Sequence, residues 1–213
     1  MPRPVIYVIA GVNGAGKSSI GGRHLLDQAG VSWFNPDDFA RELIATLGLN
    51  QAAANAEAWQ ESVRRLDEAV ARGEDFAFET TLGGDTITAR LLAATSSHDV
   101  VVWFCGLAAP DLHIERVKLR VAHGGHDIPE ATIRARCSSS LGHLIELMPR
   151  LSYLRVYDNS VSVAPGEALP DPVLVLELQG AQILFPCDAA SLQATPGWAK
   201  PLVEAALGMQ EPV

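Results

Sequence analysis

Residues 11–18 read Gly-Val-Asn-Gly-Ala-Gly-Lys-Ser and match the pattern GxxxxGK[ST] at every fixed position. In this pattern the glycines let consecutive backbone N–H groups point at phosphate oxygens, and the following helix adds the positive end of its dipole. An apolar run at residues 5–10 comes directly before the motif and is typical of a buried strand. The sequence therefore predicts a phosphate-binding loop, here called the phosphate loop, in an α/β fold.

The phosphate loop predicts both a nucleotide and a metal. We expect Lys17 to reach the β- and γ-phosphates, and the hydroxyl of Ser18 to ligate Mg²⁺. The expected cofactors are therefore ATP and Mg²⁺. The residues predicted to bind the nucleotide are Gly11, Asn13, Gly14, Ala15, Gly16, Lys17, Ser18 and Ser19.

Apolar runs alternate with helical stretches along most of the chain, which predicts a mostly parallel sheet with helices on both faces, a three-layer α/β arrangement. We expect residues 1–213 to form a single domain, whose last two strands make an antiparallel hairpin. Strands are predicted at residues 5–10, 31–34, 75–79, 100–105, 155–157, 173–179 and 181–185. Helices are predicted at residues 20–29, 40–47, 52–72, 86–94, 110–123 and 129–147.

The composition limits the partners. A formal net charge of −9 and a pI near 5.1 disfavour nucleic acid and anionic membranes, so phosphate binding must be local. No apolar run approaches the roughly 20 residues that a membrane-spanning helix needs, and no basic-then-apolar leader opens the chain. Cys105, Cys137 and Cys187 are widely spaced and form no CxxC pair. We therefore expect a cytoplasmic protein with reduced thiols.

Carboxylates follow two of the predicted strands. Asp37 and Asp38 come just after the second strand, and Glu79 ends the third. Ligands of open α/β sheets bind at the carboxyl ends of strands, and phosphoryl transfer needs a carboxylate that orients or deprotonates the attacking hydroxyl. We expect this role for Asp37 and acceptor binding for Glu79. The alternatives are a helix N-cap for Asp38 and, for Glu79, an ion pair with a lid arginine or a bond to a loop N–H.

A basic segment interrupts this acidic chain at residues 116–136. It contains five of the sixteen lysines and arginines and only two acidic residues. A Gly-Gly pair at residues 124–125 can act as a hinge, and the segment is predicted to be a lid that closes over the triphosphate. A solvated helix face is the alternative. The basic residues are Arg116, Lys118, Arg120, Arg134 and Arg136.

Taken together, the motifs resemble those of the zeta toxin family of P-loop kinases. They occur in the family's order and span residues 5–160. The resemblance implies a fold like that of small-molecule kinases, ATP-dependent phosphorylation of UDP-N-acetylglucosamine, and restraint by a small antitoxin. The matching stretches are GVNGAGKSS, NPDDFA, FETTL, RVKLRVAHGGHDIPEATIRAR and VYDNS.

The resemblance also implies a role for individual residues. The family's phosphate-binding lysine falls on Lys17 and its catalytic aspartate, in the pattern Asp-x-Phe, on Asp37. Its acceptor-binding glutamate falls on Glu79, with a nearby threonine at Thr81. One lid arginine falls on Arg120 or Arg116. A second lid arginine of the family falls near His126, where this chain has no arginine. Arg134 or Arg136 would then supply the charge, and His126 is a candidate for substrate binding.

Two other functions remain open at this point. The acceptor of a kinase could instead be a nucleoside, an antibiotic or the 5′-hydroxyl of a polynucleotide, although the net charge of −9 argues against the last. The second possibility is a nucleotide-binding regulatory module without phosphotransfer. A pure switch needs no acceptor-binding carboxylate, so Asp37 together with Glu79 favours the kinase.

Overall fold

We analysed a computed structural model, which describes residues 2–17, 33–161 and 170–210. Ser18, Ser19 and the predicted helix at 20–29 lie outside the described residues, as do the first two residues of the predicted strand at 31–34. Among the helices that are described, none combines the length and the apolar character needed to cross a lipid bilayer.

Six strands form one sheet. They are β1 (Val5–Ala10), β2 (Phe76–Thr80), β3 (Asp99–Gly106), β4 (Tyr153–Asp158), β5 (Val173–Gln179) and β6 (Gln182–Phe185). The strand order is β2-β1-β3-β4-β5-β6. The first four strands pair in parallel, whereas β5 and β6 are antiparallel to their neighbours. The predicted mostly parallel sheet and its late antiparallel hairpin are confirmed.

Helices connect and cover the strands. The described α-helices are α1 (Pro36–Leu47), α2 (Gln51–Arg72), α3 (Asp85–Ala94), α4 (Pro110–Ala122), α5 (Glu130–Leu147), α6 (Ala189–Gln193) and α7 (Lys200–Gly208). Short 3₁₀ turns occur at Met148–Arg150 and Gly197–Ala199. Both α6 and α7 belong to the C-terminal part of the chain, for which the sequence motifs predicted no element.

The main core lies between one sheet face and helices α2, α3, α5 and α7. Alternate strand residues such as Ile6, Val8 and Val102 are fully buried and pack with helix residues such as Leu66 and Leu144. Full burial of each such side chain contributes about 1.5–3 kcal/mol. This core fixes the carboxyl ends of β1, β2 and β3 relative to one another, which is where the predicted site residues lie.

Two local predictions differ from the structure. Within the described part of the strand predicted at 31–34, Phe34 alone pairs with the sheet, through a parallel bridge to Phe78. Helix α1 begins at Pro36 and not at residue 40, because the side chain of Asn35 accepts a hydrogen bond from Asp37 N at 2.9 Å and caps the helix. The alternative that Asp38 is the N-cap is therefore wrong, since Asp38 lies inside the first turn.

Candidate active site

Glycines allow the tight path of the phosphate loop after β1. Gly14 and Gly16 have φ angles of +82° and +89°, which L-residues with a side chain rarely adopt. A Cβ atom on Gly14 would lie 2.7 Å from the carbonyl oxygen of His113, and one on Gly16 would lie 2.3 Å from Nδ2 of Asn159. The backbone conformation therefore favours glycine at both positions, and at Gly14 the contact with a backbone oxygen also leaves no space for a side chain.

Neighbouring elements hold the phosphate loop from outside. Cys105 Sγ on β3 and Asn159 Nδ2 both donate to the carbonyl oxygen of Ala15, at 3.0 and 2.8 Å. His113 Nδ1 on α4 lies 2.9 Å from the carbonyl oxygen of Asn13, and because a carbonyl only accepts, this nitrogen carries the proton. Burial lowers the pKa of His113 to about 4 and raises the pKa of Cys105 to about 12. Both groups therefore stay neutral and keep their N–H and S–H donors.

The lysine of the loop forms a buried ion pair with the glutamate of β2. Lys17 Nζ lies 3.3 Å from Glu79 Oε1, and the two residues are 8% and 7% exposed. The other carboxylate oxygen of Glu79 accepts from Asn35 Nδ2 at 3.3 Å. A buried carboxylate needs such partners to offset its desolvation. The partner of Glu79 is thus the phosphate-loop lysine, and not a lid arginine.

The two aspartates at the start of α1 have different surroundings. The side chain of Asp37 is 41% exposed, and its Oδ2 atom lies 3.7 Å from Nη1 of Arg120. Asp38 forms an exposed ion pair with Arg41 on the same helix. Both aspartates line the cavity beside the lid, but only Asp37 contacts Arg120 and also lines a second cavity, which it shares with Lys17 and Glu79.

Two cavities meet at Lys17, Asp37 and Glu79. One, here called the α2 cavity, has a volume of about 300 Å³ and is walled by α2 and by residues 126–132. The other, the lid groove, has a volume of about 760 Å³ and lies between the phosphate loop, α1 and the lid. The residues that line both are Lys17, Asn35, Asp37, Glu79 and His126. These shared residues form the junction of the site.

Three of the four candidate lid arginines reach the cavities. Arg120 lines the lid groove, and its Nη2 donates to the carbonyl oxygen of His126 at 3.4 Å. Arg116 lines the same groove and donates to the carbonyl oxygens of Asn159 and Val161 at 2.8 and 3.0 Å. These bonds fasten the start of the lid to the segment after β4.

Arg134 and Arg136 lie only two residues apart on α5 but point to different sides. Arg136 lines the α2 cavity, and its Nη1 donates to Oδ1 of Asn13 at 2.7 Å. Burial lowers the pKa of Arg136, partly offset by the charge of Asp37. Arg134 instead pairs with Asp111 at 2.5 Å and lines neither cavity. The structure thus brings Arg136, and not Arg134, to the site.

The remaining predicted residues have different locations. Thr81 follows β2 and lines the α2 cavity, and His126 lies at the junction. Gly14 and Gly16 line the lid groove, whereas Gly11 N bonds to the carbonyl oxygen of Thr80 at 3.2 Å. Ser18 and Ser19 lie outside the described residues.

Sequence reasoning missed several groups at the site. Trp59 is 49% exposed and lines the α2 cavity, next to the small residues Ala58 and Ser62 that leave the cavity open. An Ala-rich helix gives no signal for such a tryptophan. Asn35 could have been found, because Asn before a proline at the first helical position is a typical N-cap pattern. His113 carries no local signal, since its partner lies across the fold.

Comparisons with known sequences give little information. No protein-family model matches the chain. An uncharacterized protein of Haemophilus influenzae is 27% identical over 127 residues, which cover 59% of this chain and 87% of that protein. This similarity does not assign a function.

Comparisons with solved structures define the fold. The AvrRxo1-ORF1:-ORF2 structure with ATP gives a TM-score of 0.64 at 17% identity, covering 99% of this chain and 65% of that chain. A chain of the PezAT chromosomal toxin-antitoxin system of Streptococcus pneumoniae gives 0.51 at 13% identity, covering 100% of this chain and 89% of that chain. A candidate kinase from Chloroflexus aurantiacus gives a TM-score of 0.52 at 18% identity, covering 63% of this chain and 78% of that chain. The protein therefore has the α/β fold of P-loop kinases, and it spans about two thirds of the AvrRxo1 chain.

Proposed function

We propose that the protein is an ATP-dependent kinase that transfers the γ-phosphoryl group to a hydroxyl of a small molecule. The observation that carries this proposal is the meeting of two cavities at Lys17, Asp37 and Glu79. In-line phosphoryl transfer requires a donor and an acceptor that approach from opposite sides of one phosphorus atom. A cation and two carboxylates at the junction of two cavities match this requirement.

The lid groove is the proposed donor side. Gly14, Gly16 and Lys17 line it from the phosphate loop, while Arg116 and Arg120 line it from the lid. Among the described residues no group of three or more His, Cys, Asp or Glu side chains could hold a metal. Mg²⁺ at a nucleotide site takes few protein ligands and is held mostly by phosphates and water. Ser18 would hold Mg²⁺, which would neutralise charge on the phosphates.

The α2 cavity is the proposed acceptor side. Asp37 would accept the proton of the attacking hydroxyl, and Glu79 and Thr81 would bind neighbouring polar groups. The half-exposed indole of Trp59 offers a flat apolar surface on which a sugar or base ring can stack. These features fit a nucleotide-sugar such as UDP-N-acetylglucosamine, the acceptor that the resemblance to zeta toxins implies.

A protein partner and a location in the cell belong to the same proposal. The AvrRxo1 structure contains two proteins, and the PezAT system pairs a toxin with an antitoxin. A small antitoxin-like protein is therefore the proposed partner of this chain.

The cysteines bear on the proposed location in the cell. Cys105, Cys137 and Cys187 are free thiols, which fits the reducing cytoplasm.

Transfer of labelled phosphate tests the proposal directly. The full chain is incubated with Mg²⁺, γ-labelled ATP and either UDP-N-acetylglucosamine or a small-molecule extract, and products are identified by mass. We expect a labelled product from the nucleotide-sugar. Transfer to a different compound of the extract would keep the kinase and correct the acceptor. Slow release of phosphate at a rate that no acceptor changes would favour the regulatory nucleotide-binding module instead.

The neighbouring arginines of α5 provide a matched pair of variants. We expect Arg136→Ala to lower kcat of transfer by about 10²-fold or more, because a positioned arginine stabilises charge in the transition state. Arg134→Ala should leave kcat unchanged, since Arg134 forms an exposed pair with Asp111. Steady-state kinetics, with thermal unfolding to verify folding, measure both. Equal kcat values for the two variants would show that Arg136 does not stabilise the transition state.

A further inference from the structure

We infer that helix α5 positions the acceptor side of the site through Ser139, Ser140 and His143. These three side chains hold the segment that connects β2 to α3, here called the β2 loop (residues 81–84). Thr81 at its start lines the α2 cavity. The inference rests on the proposed kinase function, because it assigns these residues to acceptor placement.

The β2 loop has a conformation that needs support. Leu82 has a φ angle of +52°, in the left-handed region, and is the one non-glycine residue with positive φ in the described part of the chain. Such a conformation is costly for a residue with a Cβ atom and persists only where the surroundings enforce it. Leu82 is fully buried, and its N–H donates to Thr80 Oγ1 at 3.0 Å. Contacts with the surrounding residues therefore hold the loop in this conformation.

Helix α5 supplies a donor to three consecutive carbonyl groups of this loop. Ser140 Oγ donates to Thr81 O, and Ser139 Oγ donates to Gly83 O at 3.0 Å. His143 Nδ1 lies 2.8 Å from Leu82 O, so this nitrogen carries a proton. Three successive backbone acceptors thus depend on side chains of a single helix.

His143 also reaches the far end of the loop. Its Nε2 atom lies 2.9 Å from Oδ1 of Asp85, the first residue of α3. Because the carboxylate only accepts, the imidazole joins the turn at Leu82 to the start of the next helix when both of its ring nitrogens carry protons. With Ser139 and Ser140, it fixes the loop along its whole length.

The same helix also contacts the phosphate loop. Arg136, one turn before Ser140, donates to Asn13 Oδ1 at 2.7 Å. The Cγ atom of Arg136 lies 3.0 Å from the position that a Cβ on Gly83 would occupy, so the arginine stem lies against the β2 loop. Helix α5 thus sets Thr81 relative to Asn13 of the phosphate loop, and both residues line the α2 cavity.

Ser139, Ser140 and His143 do not line either cavity. They act through Thr81 and the backbone around it, and are positioning residues. A displacement of about 1 Å at a site of transfer can reduce the rate by about 10²-fold. Loss of the donors should therefore reduce transfer to an acceptor more than it reduces binding of ATP.

The chain contains its own control for this inference. Ser138 is the adjacent serine on α5, is exposed, and makes no bond to the β2 loop. The double variant Ser139→Ala/Ser140→Ala is compared with Ser138→Ala. A second pair uses the two loop glycines: a methyl group on Gly83 would lie 3.0 Å from Arg136 and 3.3 Å from Thr81 Oγ1, whereas one on Gly84 meets nothing within 4 Å. Gly83→Ala is therefore compared with Gly84→Ala.

Three readouts separate positioning from general stability. ATP affinity is measured by calorimetry with a non-hydrolysable analogue. Transfer is measured as the ratio of labelled product to ADP, with a small-molecule extract at fixed dilution as the acceptor probe. Hydrogen exchange reports the amides of residues 81–84 and those of the phosphate loop.

We expect the double serine variant and Gly83→Ala to lower the product-to-ADP ratio by about tenfold or more. Their ATP affinity should stay within about twofold of wild type, and exchange should rise in the β2 loop but not in the phosphate loop. The Ser138→Ala and Gly84→Ala controls should match wild type. An unchanged ratio, or equal losses in ATP affinity and transfer, would overturn the inference.

Failure of the proposed function gives a different pattern. In that case the wild-type chain forms no labelled product from any acceptor. Faster exchange in the β2 loop of the double variant would then still support the mechanical part of the inference. Unchanged exchange would reject that part too.

Discussion

Lys17→Ala is expected to abolish binding of Mg·ATP and to lower the stability of the folded chain at the same time. The loss of binding follows from the proposed role of this cation, which would reach the β- and γ-phosphates. The loss of stability follows from the ion pair with Glu79, whose carboxylate is 7% exposed. Removal of one partner of a buried pair typically costs about 3–5 kcal/mol. The sequence alone predicts a different result: a surface position of the loop implies that the domain stays folded and stable without Lys17. The buried ion pair with Glu79 is the reason to expect a loss of stability.

A double variant separates the two effects. Lys17→Met combined with Glu79→Gln removes both charges and keeps side chains of similar size. We expect its melting temperature to return close to that of wild type, while binding of Mg·ATP stays absent. Thermal unfolding and calorimetric titration with ATP measure the two properties. Normal ATP binding by Lys17→Ala would remove the lysine from the phosphate site, and a double variant as unstable as the single one would contradict the ion-pair argument.

The sequence predicts the fold well because its signals are local. The motif at residues 11–18 follows a strand of branched apolar residues, and the structure places its described part, residues 11–17, at the end of β1. The turn at Gly180, whose φ angle is +56°, separates two strand patterns and gives the β5–β6 hairpin. Such features depend on residues adjacent in the chain, so they can be read without tertiary information.

The side-chain contacts of the site depend on packing and are harder to predict. Arg134 and Arg136 look equivalent in the sequence, yet they project from α5 in different directions. Only the packing of α5 decides that Arg136 enters the α2 cavity while Arg134 pairs with Asp111. In the same way, the position of Glu79 at a strand end was predictable, whereas its pairing with Lys17 was not.

Asp37→Asn is expected to lower the rate of transfer to the acceptor by about 10²-fold or more while leaving the affinity for Mg·ATP nearly unchanged. The variant keeps the shape of the side chain but cannot accept a proton. Asp37 is 41% exposed and lines both cavities at their junction, where an attacking hydroxyl would lie. In the proposed kinase most nucleotide contacts would come from the phosphate loop, so binding should persist. Single-turnover transfer and equilibrium binding of ATP measure the two quantities.

Asp38→Asn is the matched control, and the structure gives a reason for a mild effect. Helix α1 is capped by Asn35, so Asp38 is not needed as the N-cap. Its ion pair with Arg41 is exposed, and such i,i+3 pairs on a helix contribute only about 0.2–0.5 kcal/mol. Stability and transfer by Asp38→Asn should therefore stay close to wild type. If Asp38→Asn loses transfer and Asp37→Asn does not, the base is the neighbouring carboxylate; if both transfer at the wild-type rate, neither aspartate accepts the proton.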